Sequence, residues 1–444
     1  MSTEQLPRLT SISLCAALLF SSSAFAQQVW RVSADGSGDA TTIDAILPLT
    51  QDGDTILVSY GNYPGFQIFG RSLNIVARDG ITPLIEGVVE VRNLAPSQVV
   101  SFSGFRFEGK KAAVGVPSGP LDGHGIVAAA NAGSIVLHAC EVLGADGDSA
   151  GSGSYAAPGV HPAGWPALVI QGSSNVTVEQ STIRGGRAAF VQNIDCGCHA
   201  SSSGGHGILA LSCNISLHDS TVAGGASNVG DYAGGNGGHG VVLLAGQLFA
   251  SGTAFSGGNG GAAMDFLTGT SPGNGGDGLL AASTSADATL FACTASGGNP
   301  GIALFGQVGA PGSPWSGSGP IVAIAGVARA LDTPAAPVAG TVTSITQTGV
   351  VGDHALLMAA AQPGYLDVIE LANGVILLDL IQPLTVVDLG TLPASGVLTV
   401  PASLASLPVG IDSVTYYLQS ISVTPSLGLH LSGLTPVTIL RPGL

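Results

Sequence analysis

The segment Ile135-Val136-Leu137-His138-Ala139-Cys140 carries the pattern that decides the fold of this chain. Apolar residues alternate with others, a small residue ends the run, and a glycine-rich stretch follows. The pattern recurs about every 40 residues, at Val176–Ser181, Ile215–Ser220, Leu248–Thr253 and Ala288–Cys293. A period in this range that combines strands with glycine loops indicates stacked coils.

Alternate residues of these strands agree from coil to coil. Because side chains alternate with period two along a strand, we expect Ile135, Leu137 and their counterparts to form a continuous interior. The small residues that follow are expected to form a second column. A further strand in each coil is predicted after the glycines, at Ala188–Val191, Ala262–Phe266 and Ile302–Phe305. Three strands and three turns per repeat predict one coil of a parallel stack.

The charge balance restricts the possible partners. The chain has a formal net charge of −16, with 12 Lys and Arg residues against 28 Asp and Glu. After Arg187 the basic residues are Arg329 and Arg441. This acidity disfavours nucleic acid and anionic membranes as partners. The 67 glycines and the few aromatic residues suit a thin stacked core rather than one globular centre.

Residues 1–26 have the pattern of a secretory signal peptide. Arg8 provides the positive charge, Leu9–Phe20 is an apolar run too short to span a bilayer, and Ala24-Phe25-Ala26 is a small-x-small cleavage site. We therefore expect a mature chain that begins at Gln27 and is exported, either secreted or held at the cell surface. No later segment predicts a transmembrane helix.

The N-terminal part of the mature chain adds a resemblance. Asp35–Ile43 reads Asp-Gly-Ser-Gly-Asp-Ala-Thr-Thr-Ile, and Phe102–Gly109 reads Phe-Ser-Gly-Phe-Arg-Phe-Glu-Gly. Both resemble segments of the pectin-lyase-like superfamily, and the first resembles pectinesterases in particular. The resemblance implies an all-β fold with a right-handed parallel β-helix over residues 27–328. A short helix over Ile43–Leu47, N-capped by Thr41 or Thr42, is predicted to cover the open end of the stack.

After Val327 the glycine loops stop and strands punctuated by proline begin. A Pro/Ala linker at Thr333–Val338 precedes most of about seven predicted strands in residues 329–444. Short strands in this number predict a C-terminal β-sandwich domain.

Several charged residues are candidates for catalysis. Asp265–Gly269 resembles the Asp-Phe-x-x-Gly motif of pectinesterases, but Ser313 stands where that resemblance requires a substrate-binding arginine. Lyases of this fold use aspartates that hold Ca²⁺ together with a basic residue that takes a proton. Solvated turn residues are the alternative interpretation. The candidates for catalysis are Asp146, Asp148, Arg184, Arg187, Asp231 and Asp265.

Three turns have the sequence Gly-His-Gly, at His124, His206 and His239, and Asp277 takes the same place between two glycines. On successive coils His206, His239 and Asp277 would lie about 5 Å apart. Two imidazoles and a carboxylate are candidates for binding Ca²⁺ or another divalent metal. A structural turn that repeats at the coil period is the other interpretation.

The long glycine-rich loops fall at comparable points of successive coils, and we expect them on one side of the stack. Their aromatic residues, beside Asn and Asp, are candidates for holding a neutral or lightly charged glycan. A loop surface without a ligand is the alternative. The binding candidates are Tyr155, Trp165, Tyr232 and Trp315.

Five cysteines remain in the mature chain, an odd number for an oxidising destination. Cys140 and Cys293 end the first and the last of the five strands and fall in one column. They are roughly 19 Å apart at about 4.8 Å per coil, so they cannot form a disulfide. A disulfide of Cys213 with Cys196 or Cys198 is predicted, and the rival is a metal site that includes His199.

The sequence leaves more than one function open. The leading hypothesis is a secreted, monomeric β-helix protein that binds an extracellular polysaccharide or another cell-surface component without strong catalysis. The alternative is a carbohydrate-active enzyme, whether polysaccharide lyase, glycoside hydrolase or pectinesterase-like, that uses loop carboxylates. A purely structural envelope component is the third. The incomplete catalytic motifs and the loss of basic side chains along the repeats favour the first.

Overall fold

The computed structural model describes residues 12–13, 27–110, 122–147, 163–189, 191–192, 199–230, 233–264, 271–303 and 306–444. The described chain is nearly all β. Between residues 27 and 328 the strands form long parallel sheets that curl round one axis, an arrangement compatible with a β-helix. We call this part the coil stack. In the described part of the chain, no helix has the length and apolar character needed to cross a membrane.

A complete coil contributes one strand to each of three faces, which we call sheets 1, 2 and 3 in the order that the chain visits them. Sheets 1 and 2 are continuous because Ile208–His218 and Val241–Ser251 run through both. The other strands of sheet 1 are Gln67–Phe69, Val89–Arg92, Ile126–Ala129, Leu168–Gln171, Leu279–Ala281 and Trp315–Gly317. The other strands of sheet 2 are Val29–Val32, Thr55–Val58, Leu73–Ala77, Val99–Ser103, Ser134–His138, Asn175–Glu179, Ala286–Phe291 and Ile321–Ile324. Sheet 3 contains Asn62–Pro64, Leu84–Glu86, Arg106–Glu108, Glu141–Leu143, Thr182–Arg184, Thr221–Ala223, Ala254–Ser256 and Thr294–Ser296.

The register of sheet 2 confirms the predicted interior columns. Ile135 lies opposite Val176, and Leu137 lies opposite Val178. The same pairing continues through the next three coils. These side chains belong to one continuous buried core that runs the length of the coil stack.

In each of the five repeat coils a single residue with positive φ turns the chain from sheet 2 into sheet 3. The small residue after it secures the bend with a hydrogen bond to the carbonyl oxygen two residues back, as from Ser181 Oγ to Glu179 over 2.7 Å. Cys140 and Cys293 are free thiols whose sulfur atoms make the same contact. The bend residues of the five coils are Ala139, Gln180, Asp219, Gly252 and Ala292.

In these coils the third strand directly follows this small residue. The strands predicted beyond the glycines reach into residues outside the described ranges, so each is tested only in part. Within the described residues there, the chain has isolated bridges and the two-residue strand Val191–Gln192, antiparallel to His199–Ala200. The glycine segments pair at every third residue instead, as a polyproline II-type chain does. For example, the N–H groups of Gly234, Gly237 and Gly240 donate to the carbonyl oxygens of Ser271, Asn274 and Asp277.

These segments form two columns. In one column the chain leaves sheet 3, and in the other it returns to sheet 1. We call the two columns together the glycine array. Hydrogen bonds that alternate between the two columns join them. In the series Gly186, Gly205, Gly225, Gly238, Gly258 and Gly276, the N–H of each glycine after the first donates to the carbonyl oxygen of the one before it in the series. The backbones lie too close for side chains. A Cβ on Gly258 would stand 1.9 Å from the carbonyl oxygen of Gly225.

The predicted N-terminal cap is present. The helix Ile43–Ile46 follows Thr42, whose Oγ1 accepts a hydrogen bond from Ala45 N–H at 3.3 Å, and a 3-10 turn follows at Leu47–Leu49. Ile43 and Ile46 are buried against the core at the first coil.

Residues 329–444 form two main sheets that share a second core. Ile12–Ser13 lies parallel to Ala402–Ser403 at the edge of the four-stranded sheet. The six-stranded sheet turns its other side toward sheet 2, where Tyr417 and Leu431 share a cluster with Val136 and Phe249. The strands of this region are Ala330–Asp332, Val342–Thr348, His354–Ala360, Pro363–Asp367, Ala372–Asn373, Val375–Leu378, Thr385–Thr391, Val397–Ser403, Ser413–Val423, Leu429–Leu431 and Thr435–Leu440.

Candidate functional site

A shallow groove of about 170 Å³ crosses three coils where the glycine segments leave sheet 3. Its floor consists of five glycines and Ala226, and its walls are the exposed side chains of Arg184, Arg187 and Asn259. The glycines are required by the packing, because a Cβ on Gly225 would lie 1.9 Å from the Gly186 carbonyl oxygen. The volume is below the roughly 300 Å³ of pockets that enclose a small molecule. The groove is therefore a surface feature suited to part of an extended ligand.

The two arginines give the groove a local positive charge on an acidic protein. Arg184 ends the strand Thr182–Arg184, and Arg187 lies three residues further in the glycine array. Asp146 occupies the position of Arg187 one coil earlier, and its Oδ1 accepts a hydrogen bond from the Arg187 N–H at 2.7 Å. The structure thus brings together three of the predicted catalytic candidates, while Asp148 lies outside the described residues. The Asp146 contact is to main chain, which is the role of a turn residue.

Asparagine side chains continue this surface along the array. Asn259 Oδ1 accepts a hydrogen bond from Asn299 N–H at 2.9 Å, and Asn236 Oδ1 accepts from Asn274 N–H at 2.9 Å in the other column. All four side chains are exposed. Because each bridging amide uses its oxygen to hold the next coil, it presents its NH₂ group at the surface as a hydrogen-bond donor. Sequence reasoning missed these residues, although the repeated Gly-Gly-Asn-Gly-Gly at Asn236 and Asn259 was a visible signal.

The proposed histidine ladder is assembled, and its hydrogen bonds define its chemistry. The rings of His206 and His239 stack with centroids 5.3 Å apart. His206 Nδ1 accepts the N–H of His239 at 3.1 Å, and His239 Nδ1 accepts the N–H of Asp277 at 2.9 Å. A ring nitrogen that accepts a hydrogen bond carries no proton, so in the neutral rings the proton is on Nε2. Burial and the neighbouring His239 lower the pKa of His206 to about 4, which keeps it neutral.

This tautomer does not suit metal binding, since a protonated Nε2 has no lone pair for a metal. Asp277 is engaged as well: its Oδ1 accepts from Ser313 N–H and its Oδ2 from Ser316 Oγ, both at 2.6 Å. Across the described residues, no group of three or more His, Cys, Asp and Glu side chains is arranged to hold a metal ion. The geometry of His206, His239 and Asp277 is that of a structural turn.

The aromatic candidates differ in their accessibility. Trp165 is half-buried in the stack, edge-on to His124 with ring centroids 5.2 Å apart, and a Cβ on Gly123 would meet its ring at 2.4 Å. Trp315 is 41% exposed, in the last coil. Tyr155 and Tyr232 lie outside the described residues. Trp315 is therefore the accessible aromatic ring among the candidates that the structure describes.

The remaining predictions fall partly outside the described residues. Asp231 and Asp265 lie there, as do Cys196 and Cys198, so the proposed disulfide stays a prediction. Cys213 is a free thiol packed in the coil core. Burial raises the pKa of this thiol to about 12.

The comparisons with known proteins add little. The chain matches no family model and no curated protein. Three solved chains match, and one of them is a superoxide reductase (neelaredoxin) from Ignicoccus hospitalis. That match has 11% identity and a TM-score of 0.16, and it covers 26% of this chain and 80% of the reductase.

Proposed function

We propose that this chain is an exported, right-handed parallel β-helix protein of the pectin-lyase-like type with a C-terminal β-sandwich. We further propose that it binds a neutral or lightly charged polysaccharide of the extracellular space or cell surface, without strong catalysis. The groove between Arg184, Arg187 and Asn259 is the observation that carries this proposal. The three-strand coils and the segments Asp35–Ile43 and Phe102–Gly109 support the fold assignment.

The chemistry of the groove fits sugar hydroxyl groups. Arginine offers several N–H donors in one plane, and a sugar ring presents oxygen acceptors at similar spacing. The glycine floor lets a ligand approach the main chain, since no side chain stands in the way. The position of Arg187 is taken by Ala226, Asn259 and Asn299 in the next three coils, about 4.8 Å apart, so a polymer along the stack axis would meet N–H donors in three of these four coils.

The groove lacks the arrangement that glycoside hydrolysis requires. That reaction uses two carboxyl groups on either side of the scissile bond. In the part of the chain that the structure describes, no carboxylate lines the groove, and Asp146 beside it is bonded to the main chain of Arg187. Binding without turnover is therefore the better account of these residues.

Affinity electrophoresis of the mature protein in gels containing neutral and carboxylated polysaccharides tests the proposal. The double variant Arg184→Ala/Arg187→Ala is expected to bind at least about tenfold more weakly, because a hydrogen bond from a charged group contributes about 1.5–3 kcal/mol. Arg78→Ala is the matched control, since Arg78 is an exposed arginine of an early coil. Undiminished binding by the double variant would refute the site.

The enzymatic alternative is tested with the same polysaccharides. Release of reducing ends, unsaturated sugars or methanol by the wild-type protein would favour it. Loss of such a product in Asp146→Asn would assign it to this surface. Binding without any product supports the module.

A further inference from the structure

A row of polar side chains crosses five coils on the outer face of sheet 2. The register aligns one residue per coil, with neighbours about 4.8 Å apart. These positions alternate with the interior columns, so their side chains point away from the coil core. All of them are nevertheless buried, with His138 3% and Glu179 0% exposed. We call Ser103, His138, Glu179, His218 and Ser251 the interface row.

Residues of the C-terminal region cover this row. Thr435 Oγ1 donates a hydrogen bond to Glu179 Oε1 at 3.3 Å. Gly433 lies directly against the row, because a Cβ there would stand 2.7 Å from Glu179 Cδ and from His218 Cβ. At the adjacent bend, Gln180 Nε2 donates to the carbonyl oxygen of Leu331 at 3.1 Å. The row is thus sealed between two parts of the chain.

The ionisable members of the row are poorly satisfied. Both ring nitrogens of His138 and of His218 lack a hydrogen-bond partner, and so does Glu179 Oε2. Burial lowers the pKa of His138 to about 4 and that of His218 to about 3. Burial also raises the pKa of Glu179 well above its ordinary value. In the docked arrangement both imidazoles are therefore neutral at neutral pH, and burial favours the protonated form of Glu179.

The neighbouring charged groups are acidic on the Glu179 side. Asp219 on the coil stack and Asp332 on the C-terminal region both raise the pKa of Glu179. Burial raises the pKa of Asp219 itself to about 6. Its Oδ1 lies beside Gly252, the bend residue of the next coil.

Beyond Ser251, the next register position is Phe291, which packs against His430 with ring centroids 5.3 Å apart. His430 lies near the buried ion pair of Arg329 and Asp353. Arg329 lowers the pKa of His430 and Asp353 raises it, after burial as the main cause of lowering. This end of the interface carries a paired charge, unlike the interface row.

We propose that the interface row makes docking of the C-terminal region on the coil stack depend on pH, with the tightest docking near pH 6.5 and release in acid. Release exposes the row to water, where a charged imidazole or carboxylate is no longer penalised. The geometry that carries the proposal is the alignment of two unpartnered imidazoles and one carboxyl group under a cover that leaves each of them at most 3% exposed.

The direction follows from proton counting. In water the two histidines take up protons below about pH 6.5, and the glutamate loses its proton above about pH 4.5. Of the three ionisable groups in the row, release between these values binds two protons and gives up one, so their titration favours release about tenfold for each unit of acidification. Above pH 6.5 release gives up the Glu179 proton without any uptake. Docking there weakens about tenfold per unit until Glu179 ionises in the docked state.

Hydrogen–deuterium exchange of the full mature chain between pH 4.5 and 8, corrected for intrinsic exchange, measures release through the peptide that contains residues 432–435. The wild-type protein is expected to show a maximum of protection near pH 6.5. Glu179→Gln removes the alkaline loss and steepens the acid loss to about a hundredfold per pH unit, since two protons are then taken up. His138→Gln/His218→Gln reverses the acid limb, so that docking tightens toward pH 4.5.

Exchange of the Ser134–His138 peptide in the same spectra separates release from general acid unfolding. Acid release of the double histidine variant with the wild-type slope would overturn the proposal. So would an alkaline loss that persists in Glu179→Gln. If the histidine variant fails to fold, the pH dependence of protection in Glu179→Gln is the deciding measurement. Slopes equal to those of the wild type on both the acid and the alkaline side would reject the interface row as the cause.

Discussion

Thr435 Oγ1 and Glu179 Oε1 form a 3.3 Å hydrogen bond between groups that are 256 residues apart in sequence. Both side chains are fully buried. The bond joins the last strand of the chain to the middle of the coil stack and is backed by the close contact of Gly433. The outer face of sheet 2 is therefore part of the interior, and substitutions at this contact should affect the stability of the whole chain.

Gly433→Ala tests that close packing. The added Cβ would lie 2.7 Å from Glu179 Cδ and Oε1 and from His218 Cβ, so the C-terminal region must shift. Overpacking of this kind costs about 1–3 kcal/mol. Urea unfolding at pH 6.5 is expected to show a destabilisation in that range, with the interface peptides exchanging first in deuterium. A variant as stable as the wild type would mean that the contact is loose.

The glycine array predicts a strong contrast between neighbouring residues. Gly258→Ala would place a Cβ 1.9 Å from the Gly225 carbonyl oxygen, which is main chain, and should destabilise the protein by about 3 kcal/mol or more. The matched control is Asn259→Ala, which removes one surface hydrogen bond to Asn299 and should cost about 1 kcal/mol. Chemical unfolding of both variants measures the difference. Equal effects would contradict the hydrogen-bonded array.

The tautomer of His206 predicts a pH dependence of stability. Its pKa is lowered to about 4 in the folded chain, so the unfolded chain takes up a proton first as pH falls below about 6.5. The folded state therefore loses stability between pH 6.5 and 4, by about 1.4 kcal/mol per unit. In His206→Asn the acceptor would be an amide oxygen, which accepts a hydrogen bond without losing a proton first. Asp277 Oδ1 is a side-chain oxygen that accepts in the same way, from the N–H of Ser313.

Unfolding midpoints of wild type and His206→Asn at pH 7 and pH 5 compare the two chains. From pH 7 to pH 5 the free energy of unfolding should fall less in the variant than in the wild type. The difference should correspond to the uptake of one proton. Equal losses would show that the Nδ1 contact to His239 does not govern the titration.

The free thiol of Cys213 predicts low reactivity. Burial raises its pKa to about 12, so it is protonated at neutral pH. Iodoacetamide at pH 8 should leave Cys213 unmodified in the native protein and alkylate it after unfolding without reductant, as peptide mass spectrometry would show. A Cys213-containing disulfide peptide with Cys196 or Cys198 would instead verify the pairing predicted from the sequence.

Residues with local patterns were the predictable part of the fold. Ile135 and Leu137 stack with their counterparts because period-two alternation is a property of each strand alone. Thr42 caps the first helix because its hydroxyl needs only a backbone N–H three residues on. Asp146 and Arg187 are 41 residues apart, which is one coil period, so their contact is also predictable from local repeats.

Non-local contacts explain the failures. Glycine lacks a Cβ, so the residues after Gly225 carry no alternation that marks a strand, and their hydrogen bonds go to segments in two columns. Trp165 was a candidate binding platform, but the missing Cβ of Gly123 lets its ring pack into the stack. No local pattern reports either contact.

The coil period and the interior columns were determined by the sequence alone. So were the small residue after each bend and the helix that caps the first coil, since each of these features depends on residues close along the chain. Tertiary structure alone decided the fate of the outward face of sheet 2. His138, Glu179 and His218 alternate with the interior columns, and they are buried because Gly433 and Thr435 close over this face. Burial depends on what packs above a residue, and here that cover comes from the far end of the chain.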